Sequence, residues 1–336
     1  MKDINSLTIV FDMYGCPNRC KHCWIGSLPN RKLTIKDSTT VANFFKTKFP
    51  RNFTFYSWMR EPDYADNYKE IWELDNKLSV DNLPKRFELA SFYRIVRDKE
   101  YVPWLSKLGV KVVQLTLFGL ERLTDLYIGR KGAFNEIITA TKILINNNIT
   151  PRWQVFINQE NKEEIIELIE LSKTFDQEFE LFIHEGSCDG ENELLYPIRI
   201  TRNDISDTIK PYYLNYDALY EEKTLYEKLS HDNSTSSLIT SDVVFYVTND
   251  FSVYPNLSNI APWWKIGNIK ENTVDEIIAN YLNHVPTAMK IRSTIPLGKI
   301  VQSVGNKASE KLFSKTDYII YLLNQYARKT HFGSVK

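Results

Sequence analysis

Short apolar runs alternate with longer amphipathic stretches through the first two-thirds of the chain. Residues 7–12 (LTIVFD) are β-branched and apolar over the length of one strand, which suits a strand covered on both faces. Thr34 can cap a helix whose apolar face includes Val41, Phe44 and Phe45. Residues 53–56 predict a second strand, and a polar, aromatic segment from about 66 to 78 the next helix. Residues 87–90 and 110–117 follow as strands, with a helix near 102–108 between them. Phe134, Ile137, Ile138 and Leu144 fall on one helical stripe, and residues 153–157 predict a fifth strand. Asn161 with Glu164 three positions on resembles a capping box, opening a helix that carries Ile165, Ile169 and Leu171. Residues 179–183 predict a sixth strand. Six successive βα-like units imply an α/β fold: a parallel sheet, closed or partly closed, with helices outside.

The regular order weakens after that. Residues from about 190 to 240 predict a polar, helix-containing insertion, and the domain boundary is expected within it. Residues 243–248 and 252–254 predict a hairpin around Asn249-Asp250. Thr273 with Glu276 opens another capped helix, and the tail from 308 to 329 is expected to be helical.

Composition narrows the class. At 336 residues the chain is long enough for one large α/β domain and a smaller appendage, and with 43% hydrophobic and 25% charged residues it is not a disordered one. Lys+Arg and Asp+Glu both total 42, so no basic surplus argues for nucleic acid or an anionic membrane. The start Met1-Lys2-Asp3-Ile4-Asn5 lacks a secretory pattern, and no apolar run is long enough to span a bilayer, so a cytoplasmic location is expected. Four cysteines in such a chain are not expected to form structural disulfides. Three of them cluster near the N-terminus, a spacing that suggests a metal site.

That cluster is Gly15-Cys16-Pro17-Asn18-Arg19-Cys20-Lys21-His22-Cys23, a C-x3-C-x2-C loop directly after the first predicted strand. Three thiolates on a short loop can hold three irons of a cubane cluster and leave the fourth iron without a protein ligand. A small molecule with adjacent nitrogen and oxygen donors can then chelate that iron. Gly15, Pro17 and Asn18 suit a compact loop whose backbone approaches the sulfurs. Zinc is the rival ligand, since C-x2-C recurs in zinc sites. A structural zinc wants four ligands, and only Cys188 or one of the five histidines could complete such a set.

A C-x3-C-x2-C loop after the first strand resembles the radical S-adenosylmethionine superfamily. The resemblance implies a partial (β/α)6 TIM-like barrel, here over residues 1–200. A helical insertion or linker over 201–240 and a smaller α+β cap with a helical tail over 241–336 are expected to follow. It also implies one [4Fe–4S] cluster on Cys16, Cys20 and Cys23, and S-adenosylmethionine as the molecule on the open iron. Reductive cleavage would give a 5′-deoxyadenosyl radical that abstracts a hydrogen atom from the substrate. An external one-electron donor, a flavodoxin or ferredoxin, is implied with it.

The likeness extends beyond the loop. His22 stands where the family usually has an aromatic residue. Met59-Arg60-Glu61-Pro62 matches the end of a G-G-E-P run without its glycines, which implies that Glu61 contacts the cofactor's methionine amine. Thr116-Leu117-Phe118-Gly119, then Asp125, Gly129, Gly132-Ala133 and Phe134, resemble the S-L-D-G and following motifs of members acting on peptides or carbohydrates. Ile128 stands where an arginine is common. Thr116 would reach the cofactor's ribose or carboxylate, and Arg152, Gln154 and Asn158 are further polar candidates for cofactor or substrate.

Cys188, in His184-Glu185-Gly186-Ser187-Cys188 beyond the sixth strand, is a candidate for returning a hydrogen atom to a product radical. Phe251 to Asn256, Lys265 to Ile269 and Thr273 to Ile277 resemble the start of SPASM and twitch extensions. Asn256 stands where the first auxiliary-cluster cysteine belongs, so a cap without a second cluster is expected. Trp263-Trp264 would pack, or line the substrate side. The SPASM-like trace favours a peptide substrate, with a carbohydrate or other small molecule as the alternative. The motif starts too near the N-terminus for a separate leader-binding domain before it, so a leader is expected to be bound elsewhere. A non-catalytic iron–sulfur or zinc protein, and an enzyme that transfers a methyl or aminocarboxypropyl group, are the competing classes.

Overall fold

The computed structural model of the chain describes residues 4–332 apart from 27, 87, 176–178, 236–238 and 257–259. In chain order its elements are β1 (Ser6–Phe11), α1 (Ile35–Lys46), β2 (Phe53–Tyr56), α2 (Tyr68–Leu78), α3 (Phe92–Ile95), α4 (Tyr101–Lys107) and β3 (Val112–Leu117). Next come α5 (Glu121–Ile128), α6 (Ala133–Asn146), β4 (Thr150–Phe156), α7 (Lys162–Ser172) and β5 (Glu180–His184). A series of 3-10 turns leads to β6 (Tyr220–Glu221), α8 (Glu222–Leu229), β7 (Asp242–Val247), β8 (Ser252–Pro255) and β9 (Gly267–Asn268). The chain continues through α9 (Val274–Leu282), α10 (Thr287–Thr294), α11 (Leu297–Val304), β10 (Leu312–Phe313) and α12 (Lys315–His331).

Two parallel arrays carry the β/α portion. Strands β3, β4 and β5 pair in parallel in that order, with Thr116 opposite Gln154 and Gln154 opposite Phe182. Strand β1 has β2 on one side and β7 on the other, both parallel, and β8 and β9 extend that sheet antiparallel. The expected hairpin is therefore β7–β8, but its first strand is also hydrogen-bonded along the whole of β1, from Ser6 opposite Asp242 to Phe11 opposite Val247.

The expected third strand is reduced. Phe87 lies outside the described residues, and what remains is a single parallel bridge, Leu89 to Gln114. Pro84, Lys85 and Arg86 just before it supply no apolar alternation to extend a ladder.

Helix ends follow local chemistry where the expected cap is free to act. Thr34 and Asp37 form a capping box on α1, and Thr273 and Glu276 form one on α9. Asn161 does not cap α7 in this way, because its fully buried side chain is used elsewhere. Its Oδ1 accepts the Asn158 N–H at 2.8 Å, and its Nδ2 donates to the carbonyls of Phe118 and Phe156 at 2.8 and 2.7 Å, tying together the ends of β3 and β4. Glu164 instead accepts the Leu120 N–H at 2.8 Å, at the start of α5. The tail is extended through β10 before α12 begins at Lys315, since Leu312 and Phe313 are buried strand residues.

The core falls into two clusters. One surrounds β1, β2, β7 and β8 and includes Phe11, Phe45, Phe55 and Phe245; the other surrounds β3–β5 and is centred on Leu115, Trp153 and Ile183. Buried Trp153 satisfies its indole N–H on Thr141 Oγ1 at 3.0 Å. Alternation along β3 and β4 turns Val113, Leu115, Trp153 and Val155 toward the helices. The opposite face carries Gln114, Thr116, Arg152 and Gln154, so the inner surface of this layer is polar. No helix among the described residues is long and apolar enough to cross a membrane.

Candidate active site

The cysteine loop leaves the end of β1 and is braced on three sides. Gly15 sits at φ +85°, and a Cβ there would lie 2.2 Å from Asn30 Oδ1, so the turn requires glycine. Asn30 holds the Cys16 peptide at both ends: its Oδ1 accepts the Cys16 N–H at 3.2 Å and its Nδ2 donates to the Cys16 carbonyl at 2.8 Å. The Arg19 and Lys21 N–H groups donate to the carbonyls of Ile128 and Tyr127 at 2.9 and 2.8 Å, seating the loop on the end of α5. On the third side the Glu191 N–H donates to the Cys23 carbonyl at 2.8 Å.

Cys16, Cys20 and Cys23 line one cavity of about 260 Å³, together with His22, Glu61, Thr116 and Gln154. Burial pushes all three thiols up from their ordinary range, and Glu61 adds to the effect at Cys16. Thiols so placed are poor anions on their own, and bound iron would supply the missing positive charge. The Asn18 N–H lies 3.4 Å from Cys16 Sγ, a backbone donor toward sulfur. Among the described residues no group of three His, Cys, Asp or Glu is gathered for a single metal ion.

Two buried polar atoms are left over at this cavity. Glu61 Oε1 has no hydrogen-bond partner, while Oε2 faces Cys16 Sγ at 3.8 Å. Burial raises the Glu61 carboxyl to about 7. His22 Nδ1 is likewise unpartnered, and its ring packs against Phe118 and Phe156 with centroids 4.7 and 4.3 Å away. Burial lowers the His22 imidazole to about 3, so it sits there as a neutral ring. Thiols, a lone carboxylate oxygen and a polar wall fit an iron–sulfur cluster with a cationic, amine-bearing ligand beside it.

The other sequence candidates are dispersed. Thr116 Oγ1 is 3.3 Å from Gln154 Oε1 on the cavity wall. Arg152 is engaged by Glu88 and Glu180 where β4 begins and does not line the cavity. Asn158 is buried on Tyr127, at 3.0 Å. Cys188 is fully buried, its N–H donating to Asp317 of α12 at 2.7 Å, and it too lies outside the lining. Trp263 and Trp264 both donate to Asn324 of α12, at 3.2 and 2.8 Å, which makes them packing residues.

Several contributors escaped the sequence. Arg60 fills the place of a missing glycine, and its guanidinium reaches Asp12 and the carbonyls of Leu28 and Pro29. Asn249, in the β7–β8 turn, donates to Asp12 and to the same Pro29 carbonyl, at 3.1 and 2.7 Å. Arg130, two positions beyond Ile128, donates to Asn18 Oδ1 at 2.9 Å and so supplies a cation beside the loop. An arginine adjoining Glu61 was the only local signal for any of these.

Three thiols beyond the carboxyl end of a parallel strand thus open on one cavity with a buried carboxylate and a polar strand wall. Residues 10–172 match the family model of the Radical SAM superfamily. That stretch is a radical SAM domain and the chain a radical SAM enzyme, which implies a [4Fe–4S] cluster and S-adenosylmethionine. Native anSMEcpe with bound AdoMet shares the fold at 16% identity and a TM-score of 0.52, covering 97% of this chain and 98% of that one. Native anSMEcpe with bound AdoMet and Cp18Cys peptide aligns with the same identity and TM-score, covering 97% and 99%. Streptococcus suis SuiB bound to precursor peptide SuiA aligns at 14% identity and a TM-score of 0.43, over 95% of this chain and 71% of that one. A comparison with curated proteins found no match.

Proposed function

We infer that this enzyme modifies a peptide by hydrogen-atom abstraction, with a single [4Fe–4S] cluster on Cys16, Cys20 and Cys23. The observation that carries this is the convergence of the three thiols, the unpartnered Glu61 oxygen and the polar strand wall on one cavity. In this reading β1, β2, the Leu89 bridge and β3–β5 make up a partial (β/α)6 barrel over residues 1–200, against whose β1 edge β7 of the cap is paired. Residues 201–240 link it to a twitch-like cap over 241–336 that holds no auxiliary cluster. Asn256, at the position of the expected cysteine, accepts from Tyr246 at 2.7 Å, and Tyr246 packs on Trp24 of the cluster loop.

When bound, the cluster and S-adenosylmethionine together supply a 5′-deoxyadenosyl radical that takes a hydrogen atom from the substrate. The chain's own residues bind and orient. The thiolates would hold three irons, Glu61 would receive the ammonium of the methionine part, and Thr116 would offer its hydroxyl to an oxygen of the cofactor or substrate. His22 closes the apolar side of the cavity against Phe118 and Phe156. The hydrogen-atom return offered to Cys188 needs a thiol that reaches the cavity, which this packing does not give it. Electrons come from an external flavodoxin- or ferredoxin-type donor.

A peptide is favoured over a small molecule because anSMEcpe, which shares the fold, has a peptide bound. The test is mass spectrometry of anaerobic reactions with reductant, S-adenosylmethionine and deuterated candidate peptides. Deuterium in 5′-deoxyadenosine is expected; S-adenosylhomocysteine or methylthioadenosine as the sole product would overturn the assignment.

A further inference from the structure

The polar wall of the cavity contains a hydrogen-bond chain whose direction can be worked out. Gly186 N–H points at His184 Nδ1, at 3.2 Å. His184 Nε2 lies 2.8 Å from Gln154 Nε2. Gln154 Oε1 is 2.7 Å from Gln114 Nε2 and 3.3 Å from Thr116 Oγ1. Gln114, Thr116 and Gln154 all line the cavity, and His184 stands behind them.

As placed, both ring nitrogens of His184 face donors, which a neutral imidazole cannot accept from at once, so the Gln154 and Gln114 amides are to be read turned, oxygen for nitrogen. Burial lowers the His184 imidazole to about 4, with Arg199 adding to it, so the ring is neutral and carries one N–H. Because Nδ1 accepts from Gly186, the hydrogen is on Nε2. Nε2–H must then donate to the Gln154 carbonyl oxygen, which turns the Gln154 NH2 toward Gln114 and Thr116. Its two hydrogens fit two acceptors, Gln114 Oε1 and Thr116 Oγ1. This leaves the Gln114 NH2 and the Thr116 hydroxyl hydrogen for the cavity. With the opposite tautomer every bond in the chain reverses and the wall presents acceptor oxygens.

We propose that His184, acting through Gln154, makes this wall a hydrogen-bond donor site for a carboxylate or carbonyl oxygen of the bound molecule. His184 and Gln154 are positioning residues, and Thr116 and Gln114 make the contact. The proposal rests on the radical SAM reading of the cavity only for which molecule brings the oxygen: the cofactor's carboxylate or a peptide carbonyl of the substrate.

The tautomer is measured on cluster-free, full-length protein by long-range proton–nitrogen correlation of 15N-histidine, with His184 assigned from a His184→Asn variant. A bare Nδ1 is expected, and a protonated Nδ1 overturns the proposal whatever the cofactor. The ligand is then sought in cluster-loaded Thr116→Val and Gln114→Leu proteins, with Thr116→Ser as the variant that keeps the donor. Equilibrium dialysis compares S-adenosylmethionine with its decarboxylated analogue. A loss of roughly fivefold confined to the carboxylated form, restored in Thr116→Ser, identifies the cofactor's carboxylate. Unchanged cofactor binding, with the N-acetylglycine methylamide probe shifting the Gln114 amide resonances in wild type and not in Thr116→Val, identifies a peptide carbonyl. No change in either arm overturns the donor site.

Discussion

The guanidinium of Arg60 grips Asp12 with two parallel hydrogen bonds, Nε to one carboxylate oxygen at 3.0 Å and Nη2 to the other at 2.7 Å. Both side chains are almost completely buried, at 5% and 1% exposure. The pair joins the end of β1 to the segment after β2, and Arg60 also donates to the Leu28 and Pro29 carbonyls that follow the cysteines. A residue in place of a family glycine therefore braces the loop that presents the thiols. Removing one partner strands the other charge in the core, at a cost of about 3–5 kcal/mol. Arg60→Gly is expected to lower stability by that order and to reduce iron retained after reconstitution. Arg60→Lys, lacking the bidentate fork, should fall between. Denaturant melts and iron counts on all three proteins check this, and wild-type values in Arg60→Gly contradict it.

Glu61 makes a sharper claim about the cofactor. Replacing it with glutamine keeps the shape and removes the charge that would meet an ammonium group. Glu61→Gln is expected to retain the cluster yet bind S-adenosylmethionine about ten- to a hundredfold more weakly, the scale of one charge-assisted hydrogen bond. Equilibrium dialysis beside an iron and sulfide count separates the two effects. Unaltered affinity would remove Glu61 from the site.

Asp75 gives the fold a pH signature. Its buried carboxyl accepts from the Ser57 N–H and hydroxyl at 3.0 and 2.6 Å, and burial lifts it to about 7. A carboxyl raised above its unfolded value of about 3.9 holds its proton more tightly when folded. Its stabilising contribution is thus complete below about pH 4 and is lost as pH rises through about 7, by at most ~1.4 kcal/mol per pH unit. Asp75→Asn should flatten the slope of stability against pH in this window. Identical slopes for variant and wild type, by urea midpoints from pH 4.5 to 8, contradict the assignment.

Cys188 differs from the other thiols in exposure: it is buried, and Cys16, Cys20 and Cys23 are partly accessible. Iodoacetamide applied to native, cluster-free protein should label the three and spare Cys188 until denaturant is added. Labelling of Cys188 at the same rate, read by peptide mass spectrometry, would show a thiol open to the cavity.

What the sequence revealed was what lies close along the chain. Three cysteines within eight residues, the Thr34 cap and the Thr273–Glu276 box are local patterns, and each is read from its own side chains. Partners far apart in sequence were invisible. Nothing in residues 242–247 states that they pair with β1 some 236 positions away, since any buried strand has the same β-branched look. Asn161 carried the signal for a cap, yet the Asn158 N–H took its oxygen and the two carbonyls at the strand ends its NH2. Asn249 and Arg60 meet on Asp12 only once the turn after β7 lies over the cysteine loop. Thr116 was found from a motif, while Gln114 and His184 gained meaning from the register of three strands.

Anaerobic reconstitution of the full chain, followed by counting metal and sulfide and by paramagnetic resonance of the reduced protein, decides whether the three thiols carry a cubane cluster. Roughly four irons and four sulfides per chain are expected. The signal should change when S-adenosylmethionine is added and be abolished in Cys16→Ala, Cys20→Ala and Cys23→Ala. Stoichiometric zinc, or a cluster that survives the loss of all three thiols, would contradict that assignment.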